Sequence, residues 1–286
     1  STHSEEIIKG LLEVCPDRIK IIRITRDDDV NNFSVLDNQE FSQVWNDPIL
    51  RYSNIMASLF HKSVVLCESD SDCKVYSIIE SHIKQKQGRY SETLFIHCGG
   101  KHRMAKIIIA LRSLNIKARL IADIDVLNDE TVFKGIVESC GVDYRSIQAD
   151  YNNIVSNLHS SKESINRNVA KAAIGRILES SGNAELTKRE IKEIREVIST
   201  ASKWDGLKSS GTAALPAGNA TASFKQLDQL LRTHGIFIVP VGELECFVKE
   251  VGGHGPEWAN AVLEKYPDLD NEVYNDITTF VESMDL

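Results

Sequence analysis

The clearest pattern in the chain is a set of short, almost uninterrupted apolar runs over residues 63–129, separated by stretches with helical spacing. Val64-Val65-Leu66-Cys67, Leu94-Phe95-Ile96 and Leu120-Ile121-Ala122 are too short for helices and too continuous for strands with one wet face. Such runs mark parallel strands buried on both sides. Between them Val75, Ile78 and Ile79, then Met104, Ile107, Ile108 and Leu111, recur every three or four positions and give each connecting segment one apolar stripe. Strand–helix–strand–helix–strand predicts a doubly wound α/β core.

On either side the pattern changes. Residues 5–14 predict an amphipathic helix (Ile7, Ile8, Leu11, Leu12) stopped by Cys15-Pro16. Residues 19–25 and 32–36 predict two strands of a hairpin around the polar tip Asp27-Asp28-Asp29. Residues 41–60, with Trp45, Ile49 and Leu50, predict a helix leading into the core, so 1–60 forms a connector. Helical spacing returns over 143–211 in Ile154 and Leu158, Ile165 and Val169, and Ile174 and Leu178. Thr187-Lys188-Arg189-Glu190 is a capping box, with Ile191, Ile194 and Ile198 forming the stripe behind it. Residues 211–223, rich in Ala and Gly, predict a flexible loop, followed by a helix over 224–233 and a strand over 236–241. Gly252-Gly253-His254-Gly255-Pro256 is a turn, and Trp258, Ala259, Val262 and Leu263, then Val273, Ile277 and Phe280, form two closing helices. The economical account is an all-helical insertion at 142–234 between two parts of one sheet, 61–141 and 235–286.

Ligands of open α/β sheets bind beyond the carboxyl ends of the strands. There the chain places Glu68 and Asp72 after the first run, Asp123 and Asp125 after the third, and Glu243 and Glu245 after the late strand. Residues two apart at a strand end point to one side, which predicts that Asp123 and Asp125 converge. Crowded carboxylates cannot all stay ionised without a cation, and oxygen ligands suit hard divalent ions, Mg²⁺ above all. Gly99-Gly100-Lys101 offers backbone N–H groups to a phosphate. Lys101, Arg103 and Lys106, with His102, form the densest basic cluster nearby and are candidates to grip a DNA backbone. His97 and Cys98 read as a hydrogen-bonded histidine and a buried thiol. Asn128, Asp129 and Glu130 predict a helix cap.

A Glu after the first strand, a Gly-rich turn after the second and Asp-x-Asp after the third resemble the Toprim domain of topoisomerases, primases and several nucleases. Asp72, four after Glu68, and Phe237-Ile238-Val239-Pro240-Val241-Gly242-Glu243-Leu244-Glu245 resemble the OLD (overcoming lysogenization defect) nucleases, which join an ABC-type ATPase to a C-terminal Toprim. The resemblance implies a metal-dependent DNA endonuclease holding two Mg²⁺ or Mn²⁺ ions on Glu68, Asp72, Asp123, Asp125, Glu243 and Glu245. Glu68, Asp123, Asp125 and Glu245 would take part in phosphodiester hydrolysis. It also implies a lysine assisting the chemistry, for which Lys249 and Lys265 are candidates. Ser1-Thr2-His3-Ser4 resembles the end of the ATPase, with His3 sensing nucleotide. No G-x-x-x-x-G-K-[ST] is present, so ATP would act only through a domain outside these residues. The rival reading is a non-catalytic Toprim-like module that binds DNA or regulates an ATPase. A topoisomerase would need a nucleophilic tyrosine in a winged helix, and Tyr76, Tyr90 and Tyr144 sit in no such context.

Composition narrows this further. The chain has 286 residues and a formal charge of −8, which argues against binding nucleic acid through a basic sheath alone. Its six cysteines show no zinc spacing and are expected to be reduced thiols. No apolar run approaches a membrane span and no signal peptide is evident, so a cytoplasmic protein is expected. The sequence begins with Ser1 rather than a methionine, which leads to the expectation of a fragment or processed chain. Whether the chain forms a homodimer stays open.

Overall fold

Helix α1 (Glu5–Val14) starts at Ser4, whose hydroxyl accepts the Ile7 N–H at 3.4 Å. The hairpin follows as β1 (Ile22–Asp27) and β2 (Val30–Val35), antiparallel, with Ile22 opposite Val35 and Ile24 opposite Phe33. The computed structural model describes residues 1–15, 18–27, 29–35, 46–48, 54–159, 167–179, 185–199 and 203–286. The first strand starts three residues later than expected, because Ile19 and Ile21 pack instead against the main core. Arg23 is buried and staples the hairpin to that core. It donates to the carbonyls of Leu59 (3.1 Å), Asn115 (2.9 Å) and His61 (2.5 Å). On the opposite face of the ribbon Ile24 and Phe33 stay 59% and 67% exposed. Trp45, Ile49 and Leu50 lie outside the described residues, as do Leu36 and Ile165. The described end of that connector is a 3₁₀ turn, Ala57–Phe60, rather than an α-helix.

The main sheet is built as the apolar runs require. Its elements are β3 (Ser63–Cys67), α2 (Asp70–Lys86), β4 (Thr93–His97), α3 (Met104–Ser113), β5 (Lys117–Ala122) and α4 (Glu130–Ser139). Four helices follow: α5 (Tyr144–His159), α6 (Arg167–Glu179), α7 (Lys188–Ser199) and α8 (Lys203–Ser210). Then come α9 (Asn219–Thr233), β6 (Ile236–Ile238), α10 (Gly255–Lys265) and α11 (Asn275–Glu282). Among the described residues the strand order is β4-β3-β5-β6, all parallel. Alternate strand residues feed two apolar layers. Val64, Leu66, Leu120 and Ile238 join α3, α4, α5 and α9 on one face. Val65, Cys67, Ile121 and Phe237 join α2, α10 and α11 on the other. The fold is thus α/β, a parallel sheet flanked by helices. The chain leaves β3 for β4 on one side and returns to β5 on the other, so the strand order reverses between β3 and β5. That reversal opens a crevice at their carboxyl ends.

The helical segment is anchored at both ends. In α5, Ile147, Tyr151, Ile154 and Leu158 are core residues alongside Leu227 and Leu231 of α9, and Phe133 stacks on Tyr151 at 5.1 Å. The two capping predictions hold: Asp129 accepts the Val132 N–H at 3.0 Å, and Thr187 and Glu190 bond each other's backbone. The expected loop at 211–223 is instead a 3₁₀ turn (Gly211–Ala214) and the first turns of α9, with Ala220 and Ser223 buried. The last strand is shorter than expected. Val239 still donates to Ala122 at 2.9 Å, but Pro240 has no N–H to continue the ladder.

One core feature runs against stability. Glu80 is 1% exposed and both of its carboxyl oxygens lack a hydrogen-bond partner. Glu80→Met, similar in volume, should therefore raise stability by about 1–3 kcal/mol. Thermal melting checks it, and a lower melting temperature would show that the carboxyl has a structural role.

Candidate metal centre

Glu68 follows β3 directly, and the turn opposite it at the end of β4 requires two successive positive φ angles, +69° at Gly99 and +111° at Gly100. Glycine meets that need without a Cβ penalty. The Gly100 N–H is spent on the Glu68 carbonyl at 3.0 Å, so it is not offered to a phosphate as the sequence suggested. The next residue, Lys101, reaches across the crevice to the Asp125 carboxylate at 2.8 Å and to its carbonyl at 3.2 Å.

Asp123 and Asp125 converge, but not through strand periodicity. The strand ends at Ala122; Asp123 is an extended cap residue and Asp125 sits in the first turn of a 3₁₀ helix, Ile124–Asn128. The Ile124 N–H bonds the Gly242 carbonyl at 2.9 Å, tying this turn to the loop after β6. Glu68, Asp123 and Asp125 each bring one carboxylate oxygen into a group whose members lie within 4.8 Å of one another. At that separation two like charges repel by on the order of 3 kcal/mol at an effective dielectric of about 20. Burial, then the charges of Asp125 and Asp72, push the Glu68 carboxyl up to about 7, against the pull of Lys101 and the Asp123 N–H. Burial and the charges of Glu68, Asp72, Asp125 and Glu243 push Asp123 well above the usual carboxylate range. Glu68 Oε1 is buried with no hydrogen-bond partner.

The third acidic motif enters from β6, which lies beside β5. Glu243 caps a 3₁₀ turn, Leu244–Phe247, that contains Glu245. Gly242 makes this approach feasible: at φ +116°, a Cβ there would lie 1.9 Å from the Lys208 carbonyl. Glu243, Glu245 and His254 form a second group within 4.8 Å. Lys208, from α8, pairs with Glu243 Oε2 at 3.1 Å. Burial opposes the Lys208 charge, but its bond to Glu243 and the fields of Asp125 and Asp123 raise its pKa overall. The charge of Asp72 is felt by Glu68 and Asp123 of the first group, and that of Glu245 of the second is felt by Asp72. Its Oδ2 accepts the Ser69 N–H at 2.8 Å in a capping box at the start of α2. Burial raises its pKa against those Ser69 bonds, with Glu245 adding to the rise.

The six acidic residues named from the sequence thus fall into two groups, with Asp72 outside both, and lie close enough to feel one another's charge. The basic cluster divides: Lys101 serves the carboxylates, Lys106 pairs with Asp47, and the Arg103 guanidinium lies near Gly99. His97 is exposed, whereas Cys98 is buried and its thiol faces the Cys67 carbonyl at 3.1 Å. All six cysteines are free thiols. His3 lines a separate cavity of about 780 Å³ with α1, β1 and Leu59–Lys62. Of the lysines weighed, Lys265 lies over the Tyr266 ring at 5.0 Å and Lys249 is exposed. The lysine that meets the third acidic motif is Lys208, which sequence reasoning missed. No local pattern marks it, since its position depends on how the helical segment returns to the sheet.

Residues 59–125 match the family model of the overcoming lysogenization defect protein-like TOPRIM domain. This segment of the chain is similar to an OLD-like Toprim domain. No curated protein and no solved structure matches the chain. The matched Toprim segment runs from just before β3 to Asp125, so it includes Glu68, Asp72, Asp123 and Asp125. Toprim domains process nucleic acid and bind divalent metals. The residues present fit such an ion: the donors at Glu68, Asp123 and Asp125 are hard oxygens, and the Glu68 carboxyl has a buried, unpartnered oxygen, Oε1. No helix among the described residues is long and apolar enough to cross a membrane.

Proposed function

We propose that this chain is a metal-dependent DNA endonuclease, the Toprim part of an OLD-type ATPase–nuclease, using two Mg²⁺ or Mn²⁺ ions. The observation that supports this most is the convergence of three acidic motifs, from the ends of three neighbouring parallel strands, on one crevice. Fully deprotonated, six carboxylates beside Lys101 and Lys208 would carry a net four negative charges, which two divalent ions would balance. When bound, such ions neutralise phosphate charge and activate water for phosphodiester displacement. Glu68, Asp123 and Asp125 would hold one ion, and Glu243 and Glu245 the other, with Asp72 coupled by charge to both groups. Lys101 and Lys208 would orient Asp125 and Glu243 and add positive charge where a scissile phosphate enters. Arg103 and Lys106 lie on the β4 side of the crevice and would meet the flanking DNA backbone.

The exposed apolar face of the β1–β2 ribbon, with His3 near its base, suits contact with an ABC-type ATPase domain of the same protein. We place the protein in the cytoplasm and leave a homodimer open. Supercoiled plasmid incubated with Mg²⁺, Mn²⁺, Ca²⁺ or EDTA tests the central reading. Metal-dependent nicking or linearisation is expected, and Glu68→Ala should reduce it by on the order of a hundredfold or more. Unchanged cleavage by Glu68→Ala would refute the site. DNA binding insensitive to Mg²⁺, with no cleavage under any ion, would instead favour a non-catalytic module.

A further inference from the structure

The two ligand groups in the crevice differ in chemistry. Glu68, Asp123 and Asp125 offer oxygen alone, whereas Glu243 and Glu245 are joined by an imidazole. His254 Nδ1 lies 3.8 Å from Glu243 Oε1 and 3.6 Å from Glu245 Oε1. The other Glu243 oxygen, Oε2, is taken by Lys208, so the carboxylate edge facing His254 is the one left for a cation. His254 occupies the N-cap position of α10, yet its ring makes no capping hydrogen bond. The turn is held in place without the ring. The Gly255 N–H donates to Glu245 Oε1 at 2.7 Å, and Gly253 and Gly255 on either side take φ angles of +107° and +61°.

We propose that Glu243, Glu245 and His254 form a mixed carboxylate–imidazole site that selects a first-row transition ion over Mg²⁺. It would work beside the all-oxygen site at Glu68, Asp123 and Asp125. This inference rests on the two-ion reading above and assigns each ion a different ligand class. Mg²⁺ demands oxygen ligands in near-octahedral geometry, while imidazole favours Fe, Ni, Cu, Zn and their neighbours in the series. An exposed histidine that merely balanced the charge of two glutamates would give no such preference. His254 is 71% exposed on its side chain, so replacing it leaves the core intact.

The test is calorimetric titration of the EDTA-treated full chain with Co²⁺ and, separately, Mg²⁺, for wild type, His254→Ala, His254→Glu and Asp123→Asn. Wild type should take up two Co²⁺ ions. His254→Ala should weaken one of the two by about tenfold or more and leave Mg²⁺ affinity within about twofold. His254→Glu, which completes an oxygen set, should lose the Co²⁺ preference and gain Mg²⁺ affinity. Asp123→Asn should weaken the other binding event. Equal Co²⁺ binding by wild type and His254→Ala, or an equal loss for both ions, would overturn the mixed site while the Asp123→Asn effect still upholds the metal centre. Absence of binding by any ion to wild type would overturn both.

Discussion

Asp123→Asn should cut metal-dependent cleavage by orders of magnitude and at the same time make the metal-free protein more stable. Asp123 is the carboxylate on which burial and four neighbouring charges act together. Losing it as a ligand removes several kcal/mol of charge stabilisation for the reaction, and each 1.36 kcal/mol is tenfold in rate, so cleavage should fall by on the order of 10²–10³-fold. The same substitution removes one of the repelling charges in a group held within 4.8 Å. Asn keeps the shape of Asp, so no cavity opens, and its amide brings a donor near the unpartnered Glu68 Oε1. A gain of about 1–3 kcal/mol follows, smaller than the bare repulsion because Asp123 and Glu68 already carry protons part of the time. In EDTA the variant should melt a few degrees above wild type. In excess Mn²⁺ the order should reverse, because only wild type has a complete site to bind the ion. A variant less stable than wild type in EDTA would mean that Asp123 is there for structure.

The strands and their two flanking helices were legible because burial on both faces writes a continuous apolar run, and Val64-Val65-Leu66 carries that signal unaided. The acidic residues were legible for the same reason: a doubly wound sheet has its crevice at the strand ends, wherever the strands fall. The route by which Asp123 and Asp125 meet was not. A 3₁₀ turn pinned by the Gly242 carbonyl replaces the expected strand alternation, and that contact depends on a residue more than a hundred positions away. Residues 211–223 misled because small side chains serve two ends. They loosen a loop, and they allow close packing; here Ser223 is buried and its hydroxyl lies 3.3 Å from the Asn153 amide. Lys208 was illegible as a site residue, and nothing in the sequence set His254 beside Glu243 and Glu245. One depends on the return of the helical segment past Gly242, and the other on a turn whose placement is set by Glu245. Both are tertiary facts with no periodic trace.

The metal-free protein should lose stability as pH rises from about 4.5 to 7, and a divalent ion should restore it only at the upper end of that range. The Glu68 carboxyl titrates near 4.5 in an unfolded chain and near 7 in the fold, because burial and the charges of Asp125 and Asp72 favour its neutral form. Between those values the native state binds more protons than the unfolded state, so stability falls with increasing pH. The stabilisation is complete below 4.5 and gone above 7, and from Glu68 alone it amounts to about 3 kcal/mol. Asp123, shifted in the same direction, adds to the slope. Carboxylates elsewhere contribute their own pH dependence, so the measurement is the difference between wild type and Glu68→Gln in EDTA. That difference should favour wild type at pH 4.5 relative to pH 7.5. At pH 7.5 an ion at a hundred times its dissociation constant returns about 2.7 kcal/mol. Near pH 5 it competes with the protons on Glu68 and Asp123 and returns much less. Binding at pH 6–7 should therefore release protons, visible as a dependence of the binding heat on buffer ionisation. If Glu68→Gln leaves the pH slope unchanged and metal uptake releases no protons, the two carboxyls are ionised in the fold and their crowding is already relieved by other means. If slope and release appear together, the strain in the acidic cluster is the reservoir from which the site draws its affinity for a cation.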